Sequence, residues 1–211
     1  MLGSPGMRSD EELFAGWRDD DQQAGNELLG RYFPVLYRFF RNKAGLDAED
    51  LIQQTLLTCV KSREGFRGDC PFRTFLLRVA RTRLFDHLRA RTRRPSADMS
   101  VTSVADLGVR MSAEFARNEL QLAVVQSLRE LPVDIQVTLE LHYWDDMSGR
   151  EVAEIPEIPE GTVRGRLRRG RELLRSALER KLGAPAADDL DNCLGQTKTS
   201  FDPEIRAALA I

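Results

Sequence analysis

Apolar positions recur along the chain at helical spacing, in blocks separated by Pro, Gly and acidic turn residues. The first block predicts a helix over about Asp10 to Arg18, with Leu13, Phe14 and Trp17 on one face and acids in its opening turn, where the helix dipole favours them. A second should run from Ala24 to about Lys43 on a stripe of Leu28, Leu29, Tyr32, Leu36, Phe39 and Phe40, with Gly45 ending it. A third covers about Ala48 to Lys61 through Leu51, Ile52, Thr55, Leu56 and Cys59. A fourth runs from about Pro71 to Arg94, with Phe72, Leu76, Val79 and Ala80 inward. These make a first domain, 10–94.

Residues 95–112 are rich in Ser, Thr, Ala and Asp, lack clear periodicity, and read as an extended linker. A second domain, 113–182, should hold helices at about 113–130, 133–144, 148–155 and 160–182. The last two form a compact unit. Ser148 with Glu151 fits a capping box, Pro156 stops the short helix, and Pro159 stands where a first-turn proline is tolerated. That spacing predicts a helix-turn-helix. Residues 183–211 form an extension with an acidic patch at Asp188 to Asp191 and a short helix expected after Asp202-Pro203.

Composition narrows the class. The chain has 211 residues, 42% hydrophobic and 30% charged, enough for one or two small cores. Aromatic residues are 7% and hairpin turn dipeptides are nearly absent, so the fold is predicted all-α: two small helical domains joined by a flexible linker. No run approaches the roughly 18 apolar residues of a spanning helix, and the start lacks a signal peptide, so a cytoplasmic protein without membrane insertion is expected. Cys59, Cys70 and Cys193 contain no CxxC pair and read as reduced thiols, not a disulfide or zinc framework.

The net charge of −2 conceals strong segregation. Residues 73–94 carry +7 and 164–181 carry +6, whereas 95–163 carry −9, 1–30 carry −5 and 182–211 carry −3. Two polyanion contacts are the simplest reading. In the last helix, Val163, Leu167, Gly170, Leu174, Ala177 and Leu178 fall on a packing face, leaving Arg164, Arg166, Arg168, Arg169, Arg171 and Arg175 around the others. Such a helix fits a major groove about 12 Å wide. The plainer reading is a solvated helix whose charges pair with the preceding acidic segment. The run from Phe66 to Phe75, with Arg67 and Arg73, sets rings beside cations. Arg78, Arg81, Arg83, Arg89, Arg91, Arg93 and Arg94 continue the charge, which suits an opened strand better than a duplex. For Phe72 and Phe75 the alternative is core packing.

These residues resemble a known family. Residues 47–57 (DAEDLIQQTLL), Phe66-Arg67-Gly68, residues 72–81 (FRTFLLRVAR) and Asp86-His87-Leu88-Arg89 are similar to domain two of the extracytoplasmic-function sigma factors. Leu131-Pro132, Gly161-Thr162-Val163 and the Arg-rich helix after them are similar to domain four. The similarity covers about Asp10 to Leu182. It implies an initiation subunit that binds RNA polymerase core, recognises promoter DNA and helps melt it, with an anti-sigma protein as an optional further partner. On that pattern Asp47, Glu49, Asp50, Gln53 and Gln54 form the core-binding face. Arg67, Phe72, Arg73, Phe75, Arg78, Arg81, Arg83, His87, Arg89 and Arg93 would meet the minus-ten strand. Thr162, Arg164, Arg166, Arg168, Arg169 and Arg171 would meet the minus-thirty-five duplex.

The chain departs from the pattern at three places. Pro156-Glu157 replaces a Leu-Gly turn, so Glu157 must make the turn without glycine's freedom at positive φ. Gly165 supplies no hydroxyl early in the recognition helix, and Phe75 stands where Trp is common. An enzyme is disfavoured: His87 and His142 have no metal-ligand spacing, no nucleophile motif or phosphate-cradling Gly loop is present, and no cofactor or metal is expected. A duplex-binding helix-turn-helix regulator without polymerase binding is the alternative. It leaves the first domain's Arg and aromatic run unexplained, and a protein-binding adaptor would leave both arginine helices unexplained.

Overall fold

The structure, a computed structural model, describes residues 8–92, 98–109, 119–182 and 190–198. Nine α-helices and one short 3-10 turn, Gly45–Asp47 between α2 and α3, account for its regular structure within these residues: α1 Asp10–Arg18, α2 Gln22–Ala44, α3 Ala48–Lys61, α4 Phe72–Arg91, α5 Glu119–Glu130, α6 Val133–Tyr143, α7 Gly149–Glu154, α8 Glu160–Leu182 and α9 Leu190–Lys198. Within the described residues the expected helices stand where the apolar stripes place them. Their ends follow local capping. Ser9 accepts from Glu12 N while the Glu12 carboxylate accepts from Ser9 N, so α1 opens in a capping box. Asp21 accepts from Gln23 N and Ala24 N, which starts α2 two residues before its apolar stripe.

The first domain packs α1 to α4 around Leu13, Leu28, Leu36, Phe40, Ile52, Leu76 and Leu84, all fully buried. An aromatic cluster lies at the α1 end, with the Phe14 ring 4.9 Å from Phe66 and 5.7 Å from Phe72. Helices α1 and α2 meet so closely that a Cβ on Gly25 would lie 2.4 Å from Trp17 Cδ1.

In the second domain α8 lies across α5, α6 and α7. Its buried residues are Val163, Leu167, Gly170, Leu174, Ala177 and Leu178, the packing face read from their spacing. The Ser148–Glu151 capping box forms and opens α7. Glu157 in the following turn has φ 56°, the positive value that the missing glycine demands.

Parts of the linker and the extension are docked. Within 98–109, Met99, Val104 and Val109 are buried, Val133 N donates to Thr102 O and Ala105 N to Arg129 O, and Ser103 bridges Pro132. In α9, Leu190, Cys193 and Leu194 pack on the second domain, and Trp144 Nε1 donates to Leu194 O. The start of the helix expected at 113, Arg93 and Arg94 beyond α4, most of the acidic 188–191 patch, and the helix expected after Asp202 lie outside the described residues.

Candidate nucleic-acid interface

On α3, Leu51, Ile52, Thr55 and Cys59 turn inward, which leaves Glu49, Asp50, Gln53 and Gln54 exposed on the opposite face. Gln54 Nε2 donates to Asp50 Oδ2 at 2.6 Å. Asp47 sits just before the helix and is engaged: Arg91 Nη1 donates to its Oδ2 at 3.0 Å, and His87 Nε2 is 3.4 Å from the same oxygen. Burial pushes the His87 imidazole down, against the pull of Asp47, so His87 belongs to a local cluster with Asp47. Leu46, Leu57 and Val60 add exposed apolar area beside these acids. Spacing alone does not mark them, because apolar residues in a helix pattern are first assigned to the core.

The run before α4 divides between core and surface. Phe72 is 5% exposed and packs on Phe14, Trp17, Tyr32 and Phe66. The expectation that it meets a strand is corrected: its ring closes the aromatic cluster. Phe75 is half-buried, with its ring 4.7 Å from Phe66, while Arg67 is exposed. Between α1 and this run lies a cavity of about 550 Å³ lined by Phe14, Arg18, Phe66, Asp69, Cys70 and Phe72 among others. Arg18 and Phe14 come from α1, and no local signal linked that helix to the loop.

The α4 cations take separate directions. Arg83 donates to Thr58 Oγ1 at 2.9 Å, and Arg89 pairs with Asp86 and lies over the Phe85 ring. Arg73, Arg78 and Arg81 turn toward the second domain. Arg73 donates to Asp145 O, Arg78 Nε to Glu154 O at 3.0 Å, and Arg81 Nη2 to Asp134 Oδ1 at 3.0 Å.

On α8, Thr162, Arg164, Arg168 and Arg169 are exposed on the face away from the core. Arg164 and Arg168 have only loose i,i+4 partners, Glu160 at 3.9 Å and Glu172 at 4.0 Å. Such solvated pairs hold a side chain weakly. Arg171 Nε donates to Tyr143 Oη at 2.6 Å, and Tyr143 Oη donates to Asp191 of α9 at 2.7 Å. Arg166 is turned inward and donates to Asp134 Oδ2 at 2.9 Å. One α8 arginine of the site thus follows the plainer reading, pairing with the acidic segment before the helix.

Two family models match separate segments of the chain. The sigma-70 region 2 family model matches residues 27–94, and the sigma-70 region 4 model matches 121–174. The RNA polymerase sigma-H factor of Pseudomonas aeruginosa is 30% identical over 187 residues, covering 82% of this chain and 95% of the relative. The chain belongs to the extracytoplasmic-function sigma factors of the sigma-70 family. The ECF RNA polymerase sigma-E factor of Haemophilus influenzae is 29% identical over 181 residues, covering 81% of this chain and 96% of its own. By fold, the chain is similar to CnrH, solved in complex with the cytosolic domain of CnrY, at a TM-score of 0.62 and 24% identity, covering 81% of this chain and 97% of the other. It is also similar to RpoE in complex with the anti-sigma factor NepR from Bartonella quintana, at a TM-score of 0.57 and 22% identity over 77% of this chain and 98% of the other.

In this sigma factor the minus-thirty-five candidates Thr162, Arg164, Arg168 and Arg169 share one accessible helix surface. The minus-ten candidates do not form one surface, because Phe72 is core and Arg73, Arg78 and Arg81 are shared with the second domain. Arg93 lies outside the described residues. Among the described residues no group of three or more His, Cys, Asp or Glu could hold a metal ion, and no helix is long and apolar enough to cross a membrane. Burial alone pushes the Cys59 thiol up to about 12, which keeps it protonated and unreactive at neutral pH.

Proposed function

We propose that this sigma factor docks on RNA polymerase core through Glu49, Asp50, Gln53 and Gln54 of α3, with Asp47 at its edge. It then reads two promoter elements with two separate helices. The recognition surface of α8, Thr162, Arg164, Arg168, Arg169 and Arg171, meets the minus-thirty-five duplex, with Arg166 joining when released from Asp134. The loop and helix around Arg67, Arg73, Phe75, Arg78, Arg81, Arg83, His87 and Arg89 meet the minus-ten strand. The observation that carries this reading is α8 itself, with an apolar face buried on three helices and the opposite face lined with exposed arginine. A buried face fixes the helix as a rigid unit, and the exposed cations then match groove and phosphate.

The protein works in the cytoplasm and performs no catalysis of its own; bond formation belongs to the polymerase. An anti-sigma protein is a further partner, a reading supported by RpoE, a similar fold that was solved with one. Run-off transcription tests the function. Core enzyme plus this chain should yield promoter-specific transcripts that core alone does not. Asp50→Lys or Gln53→Arg, both on exposed positions, should weaken core capture in a pull-down while circular dichroism stays unchanged. Undiminished capture by the folded variants would remove the α3 assignment, and sequence-specific duplex binding without any core binding would favour the simple duplex-binding regulator.

A further inference from the structure

Arg91 is an α4 cation that the strand-reading set above leaves unused, and its partner lies on the core-docking side of the domain. Arg91 Nη1 donates to Asp47 Oδ2 at 3.0 Å, across 44 residues of sequence. Asp47 stands at the N-cap position of α3, yet its side chain makes no cap hydrogen bond. Asp21, at the same position of α2, caps its own helix by accepting from Gln23 N and Ala24 N. The backbone explains the difference. Capping needs an extended residue, and Asp21 has ψ 94°, Ser9 164° and Ser148 159°. Asp47 ends the 3-10 turn Gly45–Asp47 with ψ 1°, and its carboxylate goes to α4 instead of to the first-turn N–H groups of α3.

A second α4 residue, one turn earlier, approaches the same carboxylate. His87 Nε2 lies 3.4 Å from Asp47 Oδ2, is buried, and makes no hydrogen bond of its own. Ala48 beside Asp47 and Leu88 beside His87 are fully buried, so the polar tie sits at the edge of the apolar contact between α3 and α4. Apolar burial is non-directional and does not by itself fix how one helix is rotated on another, whereas a charge-assisted hydrogen bond has a preferred distance and angle. The tie therefore fixes the placement of the first turn of α3. Glu49 and Asp50 lie in that turn, and Leu46, 78% exposed, lies just before it. Any shift of the turn moves these three residues first.

We propose that Arg91 is a positioning residue for polymerase docking: through Asp47, with His87 behind it, Arg91 holds residues 45–50 in the form that core polymerase captures. This inference rests on the assignment of the exposed α3 face to core binding. Two other roles would leave different marks. A strand contact needs the guanidinium for a phosphate, and here it is engaged with Asp47. A shield that keeps Asp47 from a basic group of the polymerase would make docking stronger once Arg91 is removed. The Arg91 and Asp47 side chains are 39% and 46% exposed, and a pair so solvated adds little to fold stability. Its effect falls on the fraction of chains ready to dock, by which apparent affinity is scaled. Loss of a solvated pair should lower that fraction about threefold.

The test titrates fluorescently labelled full chain with core polymerase. Arg91→Ala should weaken core affinity about threefold with thermal melts unchanged, and Arg91→Lys, which keeps a cation near Asp47, should recover most of the loss. Asp47→Asn should weaken affinity as well, and Arg91→Ala should add nothing in the Asp47→Asn background, as expected of one shared contact. Retention of a single-stranded minus-ten oligonucleotide by Arg91→Ala saturated with core should equal that of wild type. Core affinity unchanged or raised in Arg91→Ala, equal losses in the Lys and Ala variants, additive losses with Asp47→Asn, or weakened oligonucleotide retention would each overturn the proposal. Asp50→Lys separates it from the docking reading. If Asp50→Lys binds core as tightly as wild type, the α3 face is not the docking surface, whereas loss in Asp50→Lys with none in Arg91→Ala defeats only the positioning role.

Discussion

A Cβ placed on Gly170 would lie 2.8 Å from Ile135 Cγ2, closer than carbon atoms approach without displacement. Ile135 is buried and β-branched, so its methyl cannot swing away easily. Gly170→Ala should therefore push α8 off α6 and lower the stability of the second domain by about 1–2 kcal/mol, overpacking outweighing the better helix propensity of Ala. Gly165, on the exposed side of the same helix, has nothing within 4 Å of a built Cβ. Gly165→Ala should raise stability by up to about 1 kcal/mol. Thermal melts of the two variants should move in opposite directions, and parallel shifts would contradict the packing described.

The two DNA steps should separate. Arg168, with 85% of its side chain exposed, should lose duplex affinity on Arg168→Ala and reduce the salt dependence of binding by about one in log–log slope. Phe75→Ala should leave duplex binding near wild type and impair strand opening, read by permanganate reactivity, if its half-buried ring takes the base-stacking role proposed for it. Phe72→Ala serves as the contrast. Its loss should cost about 3–5 kcal/mol of fold stability. Loss of the same step by Arg168→Ala and Phe75→Ala would refute separate roles.

Glu151 links pH to the helix-turn-helix. The Ser148 hydroxyl, then the Ser148 backbone N–H, bond its carboxylate and hold it below the usual glutamate range. A depressed carboxylate stabilises the fold above its unfolded pKa, and that contribution is lost as pH falls through the folded value. Glu151→Ala should cost about 1 kcal/mol at pH 7, in line with other lost caps. The gap between variant and wild type should shrink in melts below about pH 4. An equal gap at both pH values would show that the charge is irrelevant.

The extension contributes to packing through α9. Leu194 is 0% exposed, and its carbonyl accepts from the buried Trp144 indole at 3.0 Å. Leu194→Ala should cost about 2–5 kcal/mol. Truncation after Leu182 should also red-shift tryptophan emission as Trp144 meets water. It should release Arg171 and Tyr143 from Asp191, so core-free duplex binding should tighten modestly if folding survives. Unchanged stability and emission would mean that α9 does not hold the second domain.

The sequence by itself determined the helices, their inward faces and the two charged segments. Helical period and caps are local: the α8 stripe from Val163 to Leu178, the Ser148–Glu151 box and the positive φ at Glu157 all depend on neighbours within a few residues. Charge segregation is likewise additive along the chain, so an arginine helix is visible as one. What no local rule contains is the partner of each charge. Arg81 and Asp134 are 53 residues apart, Lys43 and Glu140 are 97, and Trp17 and Gly25 touch because two helices cross. The structure decided for Phe72 between base contact and core by placing it in the aromatic cluster, docked residues 98–109 and α9 on the second domain, and turned Arg73, Arg78 and Arg81 of α4 toward that domain. Those outcomes depend on which faces meet once the helices pack. That choice is made by buried area and charge pairing across the whole chain, and it has no counterpart in the spacing of residues along it.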